Sequence, residues 1–260
     1  MKKAVLYYSQ SGNTRGAAEY FSNVTQGTEL FSVRNSEVLE IGTFSCIGFF
    51  FPTYYLKAHP VILKAIENLP KGNGKPVFLV TTYGVMPGRS LRQAAKLLAT
   101  KEYTVFESHA LEMPESFPPF LKKGITSKEA PDPQALSEFH RFAGSVESGL
   151  SRFKKGNTLD KAIPKLSFLD IIIRPPSNKK IKKDFGRLFI DTDTCTKCGA
   201  CISACPAGSL ALKEGVEYRG EQCMSCFACY NRCPEGAIFT SKLDSGFQYS
   251  GNTKKFTGAA

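Results

Sequence analysis

Eight of the nine cysteines of this 260-residue chain fall into two runs of identical spacing. Cys195, Cys198, Cys201 and Cys205 precede Pro206, and Cys223, Cys226, Cys229 and Cys233 precede Pro234. Each run reads C-x2-C-x2-C-x3-C-P. No other feature limits the chain as strongly, because eight thiolates at these intervals must be folded around something that accepts them. The x2 spacing lets one tight loop present three sulfurs to one centre, and a fourth must arrive from elsewhere, as a four-iron, four-sulfur cubane requires. Paired C-x2-C units can bind zinc, but a zinc site closes with four ligands and gives the third and fourth cysteines of each run no use. A disulfide framework belongs to short secreted chains.

The length suits one ordinary domain with a small one beside it, and a hydrophobic content of 42% is that of a globular protein. The opening apolar stretch, Ala4 to Tyr8, is too short for an export signal or a membrane span. Together with clustered cysteines this leads us to expect a reducing cytoplasm. The formal charge of +11 invites a nucleic-acid reading. Its distribution argues otherwise: residues 152–186 hold ten Lys/Arg against three Asp/Glu, whereas 187–240 hold five against six. An oxidised cubane with four thiolates carries about −2, so two of them lower the net charge by about four. What remains is a local basic surface for an acidic partner or for the chain's own cysteine domain. No aromatic platform or recognition helix points to nucleic acid.

Upstream of the cysteines the pattern alternates. Strands are expected at Lys3–Ser9, Thr28–Arg34, Phe44–Phe51, Pro76–Thr82 and Tyr103–Met113. Helices are expected where Ala17, Tyr20, Phe21 and Val24 recur, after Pro60, over Leu91–Thr100, and where Leu136, Phe139, Ala143, Val146 and Leu150 share a face. The continuous apolar run Phe44–Phe51 reads as a central strand covered on both sides. Five strands alternating with helices predict an α/β fold, a doubly wound parallel sheet, with one short or irregular connection after the second strand. Such sheets bind ligands at the C-terminal ends of their strands, where three unusual loops fall: Ser9–Thr14, Pro52–Tyr55 and Thr82–Gly88.

The cysteine runs resemble those of bacterial-type ferredoxins that hold two [4Fe-4S] clusters. The resemblance implies that each fourth cysteine serves the other run's cluster, because it starts a helix leading away from its own loop, with Pro206 and Pro234 in the first turn. One cluster would then take Cys195, Cys198, Cys201 and Cys233, and the other Cys223, Cys226, Cys229 and Cys205. Gly199, Ala200 and Ala228 leave room for backbone N–H groups near the sulfurs. The first loop resembles the phosphate loop of flavodoxins, Ser/Thr-x-Thr/Ser-Gly-x-Thr, matching at Ser9, Ser11, Gly12 and Thr14. With Gln10 and Asn13 it can wrap a phosphate dianion at a helix N-terminus without Lys or Arg. There is neither a Walker lysine nor a G-x-G-x-x-G. By the same resemblance Pro52, Thr53, Tyr54 and Tyr55, and Thr82, Tyr83, Gly84 and Gly88, cover the ring of an FMN.

The resemblance spans nearly the whole chain and is to flavodoxin–ferredoxin fusion proteins of anaerobic microbes. It implies a five-stranded flavodoxin-like FMN domain over 1–154, a basic linker over 155–186, a small α+β ferredoxin domain over 187–240 and an irregular tail over 241–260. It also implies an electron carrier passing electrons between FMN and two [4Fe-4S] clusters and onward to redox partner proteins, with no catalytic residue of its own. The alternative is a flavin-dependent reductase of a small molecule fed by the clusters; a docking module without flavin is a third reading. Two features depart from the pattern. The chain has no tryptophan, so stacking falls to tyrosine. The segment Pro114–Pro133 is long for a plain loop and suggests a flap beside the flavin or a partner surface. Cys46 reads as a buried small hydrophobe. His59, His109 and His140 are too scattered for a metal site, and only His59 lies in a flavin-side loop. The run Leu169–Ile173 is expected to pack against the first domain, and Lys179–Lys183 to be a solvated hinge.

Overall fold

The computed structural model describes residues 1–34, 41–125, 130–249 and 251. Two compact units emerge, one from Met1–Pro114 and Ser127–Pro175, the other from Glu115–Thr126 and Pro176–Gly251. In the first unit β1 (Lys3–Tyr7), α1 (Asn13–Val24), β2 (Thr28–Ser32), β3 (Cys46–Tyr54), β4 (Lys57–Ala58), α2 (Pro60–Glu67), β5 (Pro76–Tyr83), α3 (Ser90–Thr100) and β6 (Thr104–Glu112) follow one another. The chain then enters the second unit as α4 (Pro118–Lys122) and returns as α5 (Pro133–Lys154) and α6 (Phe168–Ile172).

The long strands lie in the order β2-β1-β3-β5-β6, all parallel, with the short β4 antiparallel against β3. Counting only the long strands this is 2-1-3-4-5, the flavodoxin-like doubly wound order. The expected strands are thus present, with ends displaced by a residue or more. Of the irregular connection expected after β2, residues 35–40 lie outside the described residues, and Ile41–Thr43 form a short 3-10 helix.

Alternation along β3 shows why its run of apolar residues is unbroken. Phe49 and Phe51 pack on one face with Leu6, Leu79, Ile62 and Leu98. Phe50 packs on the other with Val5, Phe21, Val80 and Phe139. Each fully buried side chain of this size contributes about 1.5–3 kcal/mol. Gly48, two residues before Phe50 on the same face, leaves room for the Phe78 ring, because a Cβ there would stand 2.4 Å from it. Cys46 is buried without a disulfide, its thiol pushed up by burial. Helix starts follow the local sequence: Asp132 accepts a hydrogen bond from the Ala135 N–H at 2.7 Å, with Pro133 opening α5.

The run Leu169–Ile173 does not pack inward as expected. Phe168 is 75% exposed, and Leu169, Ile171, Ile172 and Ile173 are exposed as well. A five-residue helix with apolar residues all round can turn only one side inward, and here it turns Asp170. Ser167 and Asp170 form a reciprocal cap at the start of α6, and the Arg89 guanidinium donates to the Asp170 carbonyl at 3.0 Å.

The second unit continues with α7 (Asn178–Phe185), β7 (Leu188–Ile190), α8 (Ala200–Ala204), β8 (Leu210–Leu212), β9 (Val216–Tyr218), α9 (Ala228–Arg232) and β10 (Ile238–Thr240). Strand β7 pairs antiparallel with β10, and β8 with β9. The core gathers Leu188, Phe227, Tyr230, Ile238 and Leu243. Three segments join this unit from outside the expected 187–240: residues 115–126, residues 176–186 and the residues after β10. Phe117 packs edge-on against Phe185 and Phe227 at 5.0 and 5.3 Å, and the Asn231 amide donates to the Ser116 carbonyl at 2.9 Å. Residues after β10 fasten to α9: the Tyr230 hydroxyl donates to the Asp244 carbonyl at 2.6 Å and accepts from the Phe247 N–H at 3.1 Å. The expected linker falls in both units, 155–175 in the first and 176–186 in the second.

Candidate cofactor sites

The two cysteine runs fold into copies of one loop. Lys197 and Gly199 in the first, Ser225 and Phe227 in the second, all have φ between 55° and 74°. These left-handed turns curl each loop round a centre, a backbone form suited to directing N–H groups inward. Gly199 adopts the turn without strain, whereas Phe227 adopts it as a bulky residue, its ring held by Phe117, Phe185 and Tyr230.

The fourth cysteine of each run ends a helix instead of starting one. Cys205 is the C-cap of α8 and Cys233 that of α9, and Pro206 and Pro234 lie in the turns that follow. The expected helix therefore precedes the fourth cysteine. With only three residues between the third and fourth cysteines, a single short helical turn is what fits, and it carries the fourth sulfur off its own loop.

The result is two cavities, each lined by four cysteines from both runs. Cys205, Cys223, Cys226 and Cys229 line one, with about 530 Å3 of empty space counted out to its mouth. Cys195, Cys198, Cys201 and Cys233 line the other, of about 330 Å3. These are the crossed sets that the ferredoxin resemblance implies. Backbone N–H groups already face the sulfurs: Ser209 donates to Cys205 Sγ at 3.2 Å, Ala237 to Cys233 Sγ at 3.3 Å and Ser225 to Cys223 Sγ at 3.4 Å. Burial first, and then Cys226, Cys223 and Cys205, push the Cys229 thiol up; burial, Cys233 and Cys195 do the same to Cys201. Four converging thiols resist ionising together unless a cationic core compensates them, which is the chemistry of an iron–sulfur cluster. No disulfide joins any of the nine cysteines. The donor set, the crossing and the inward N–H groups fit two cubanes.

The three expected loops of the first unit lie at the C-terminal ends of the neighbouring parallel strands β1, β3 and β5, although Pro52–Tyr54 of the second and Thr82 and Tyr83 of the third still belong to their strands. Gly12, at φ 97°, is the N-cap of α1, and no side chain caps that helix. The Gly12 N–H donates to Ser9 Oγ at 3.1 Å, closing the loop on itself. Thr14 is buried, its hydroxyl 2.7 Å from that of Thr82, which ties the first loop to the third. Asn13 donates its amide to the Pro114 carbonyl at 2.8 Å and so holds the loop's backbone. Gln10 and Ser11 are half-buried between them. An uncapped helix N-terminus ringed by hydroxyls fits a phosphate dianion.

In the second loop Tyr55 and Leu56 form a two-residue turn with φ 47° and 65°, joining β3 to β4. Two non-glycine residues in the left-handed region are a costly choice for such a turn. The third loop braces it: the Arg89 N–H donates to the Leu56 carbonyl at 2.8 Å, and a Cβ on Gly88 would stand 2.6 Å from Leu56. Thr53, beyond Pro52 on the same strand, lies 3.2 Å from both the Thr81 hydroxyl and the Pro87 carbonyl. Tyr54 is buried with its ring 4.6 Å from that of Tyr55, while Tyr83 and Gly84 are half-buried at the end of β5. His59 is fully buried between the rings of Tyr8 and Tyr54. Its Nδ1 accepts from the Val61 N–H at 3.2 Å to cap α2, and burial lowers its pKa to about 3. It is a neutral helix cap behind the loop.

The family described as 4Fe-4S dicluster domain matches residues 187–234. Among solved structures, a flavodoxin from the domain Archaea shares 20% identity, covering 58% of this chain and 99% of its own at a TM-score of 0.44. A Fusobacterium nucleatum flavodoxin bound to flavin mononucleotide shares 18%, covering 57% and 98% at 0.42. Two-electron reduced Megasphaera elsdenii flavodoxin shares 16%, covering 55% and 98% at 0.41. No curated protein matches the chain. No helix among the described residues is long and apolar enough to cross a membrane. The first unit has the flavodoxin-like doubly wound strand order, and the second holds the residues matched by the 4Fe-4S dicluster family, a pairing that fits a flavodoxin–ferredoxin fusion.

Proposed function

We propose that the protein is an electron carrier that exchanges electrons between one FMN and two [4Fe-4S] clusters, and through them with separate redox partner proteins. The observation that carries this reading is the coexistence in one chain of two crossed four-cysteine cavities and a trio of loops at one sheet edge. A flavin can accept two electrons and release them singly, whereas a cubane takes one, so the combination couples two-electron and one-electron carriers. The residues' part is to hold and shield. The α1 N-terminus with Ser9, Ser11 and Thr14 takes the FMN phosphate. Thr53, Tyr54, Tyr55, Tyr83 and Gly84 flank its ring, and Gly88 keeps the Tyr55–Leu56 turn in place. Cys195, Cys198, Cys201 and Cys233 hold one cluster, and Cys205, Cys223, Cys226 and Cys229 the other. The basic stretch 152–186 suits acidic partner surfaces.

Anaerobically purified protein should contain about eight iron and eight sulfide per chain together with one extractable FMN. Reducing its clusters in a stopped-flow instrument should then reduce its flavin at a rate independent of protein concentration, because both cofactors travel on one chain. A rate proportional to concentration would mean exchange between molecules. Absence of flavin, or no flavin response, would overturn the reading.

A further inference from the structure

The residues after the two cysteine runs repeat as closely as the runs themselves. Cys205-Pro206-Ala207-Gly208-Ser209-Leu210 corresponds to Cys233-Pro234-Glu235-Gly236-Ala237-Ile238. In both copies the fifth residue is buried, lines a cavity and donates its backbone N–H to the cysteine sulfur four residues before it. The copies differ at that residue's side chain. Ser209 is 1% exposed, and its hydroxyl has no hydrogen-bond partner within the protein. Its counterpart Ala237 has no hydroxyl at all. A buried hydroxyl without a partner costs about 1–3 kcal/mol, so its presence beside a ring of sulfurs calls for an acceptor there.

We propose that Ser209 donates its hydroxyl to a sulfur of the cluster held by Cys205, Cys223, Cys226 and Cys229, and thereby sets that cluster's reduction potential above its neighbour's. The inference rests on the proposed cluster occupancy of both cavities. Hydrogen bonds to cluster or ligand sulfurs stabilise the extra negative charge of the reduced form, and so raise the potential. Other differences between the cavities act in the same direction. Tyr218 lines the same cavity as Ser209 and is a second hydroxyl-bearing side chain there. The other cavity has the carboxylate residue Glu235 in its lining where Ser209's has Ala207, and negative charge lowers a cluster's potential. At equilibrium one electron added to the pair therefore rests on the Cys205 side.

Anaerobic redox titration of the holoprotein, followed by electron paramagnetic resonance with iron content measured on the same samples, tests this. The wild type should show two resolved potentials. Ser209→Ala should lower the higher one and leave the other in place, shifting the partition between clusters about tenfold, or 59 mV for a one-electron couple. Ala237→Ser should raise the lower one, so that each variant narrows the gap from its own side. The reciprocal variant keeps the test decisive should Ser209→Ala fail to assemble. Full iron content with both potentials unmoved, or moved together, would overturn this inference while leaving the electron-carrier reading intact. Iron well short of eight in the wild type would overturn both.

Discussion

Single side chains in this protein carry roles that their type alone does not announce. Lys3 sits at the start of the first strand and is fully buried, its amine 2.7 Å from a Glu147 carboxylate oxygen; in sequence it is one more N-terminal lysine. His59 was the histidine placed nearest a cofactor loop, and its burial makes it a helix cap. In the unfolded chain its pKa is near 6.5, whereas in the fold it is about 3. Between those values the unfolded state binds more protons. Its stabilising contribution is therefore complete above the unfolded value and is lost as pH falls from about 6.5 towards 3, by several kcal/mol at about 1.4 kcal/mol per pH unit. His59→Asn keeps a capping acceptor that does not titrate, so urea melts between pH 7 and 4 should show a shallower loss of stability than in the wild type. An equal slope in both would show that His59 is not the titrating group. Thr14 carries the next expectation: changing Ser11 and Thr14 together to Ala removes two hydroxyls from the loop at the α1 N-terminus. Flavin titration should show FMN affinity about ten- to a hundred-fold weaker, with iron content unchanged.

At the scale of elements the sequence was legible where one rule governed a segment. The apolar run of β3 had to be a central strand, because only burial on both faces tolerates Phe49, Phe50 and Phe51 in succession. The crossed cysteine sets were legible only through the ferredoxin resemblance; the spacing did not reveal that the short helix precedes each fourth cysteine instead of following it. What was not legible depended on contacts distant in sequence. Ile171 and Ile172 look like core residues, yet Asp170 is the one that turns inward, because Ser167 and Arg89 hold it there. The Tyr55–Leu56 turn is similarly invisible, as neither residue signals a left-handed backbone; its support is Gly88 in the third loop. Gly88→Ala should destabilise the first unit by about 1–3 kcal/mol, from positive φ and from the clash with Leu56, and should weaken FMN binding because the turn must move. Gly74 has an equally left-handed backbone at φ 79° with nothing near its Cβ position. Gly74→Ala is thus the control, expected to cost about 1 kcal/mol and to spare flavin affinity; equal losses of affinity in the two variants would contradict the bracing role.

Across the whole molecule, composition suggests one cut, at the basic stretch, and contacts do not respect it. The chain leaves the sheet unit after Pro114, contributes Ser116, Phe117 and Lys122 to the cysteine unit, and returns to the sheet unit for α5. Nothing in a proline-rich segment next to a sheet strand identifies its partner, because Phe117 is simply an aromatic residue until Phe185 and Phe227 are brought to it. A fragment limited to 187–240 would lack Phe117 and Phe185, and also Asp244 and Phe247, which hold the two sides of Tyr230's hydroxyl. With those contacts gone, Phe227 would keep its strained backbone with only Tyr230 left of the three rings that secure it. Its loop carries Cys226 and Cys229, so the cavity formed with Cys205 should fail before the other. The 187–240 fragment reconstituted with iron and sulfide should therefore hold closer to one cluster than two, whereas the intact chain should hold both. In the intact chain, Phe117→Ala should destabilise the cluster unit by about 2 kcal/mol for a half-buried ring, read as a lower denaturant midpoint for loss of cluster absorbance, and leave FMN binding at its wild-type value. A fragment as fully loaded and as resistant to denaturant as the intact chain would show that the excursion through residues 115–126 contributes nothing to the cluster unit.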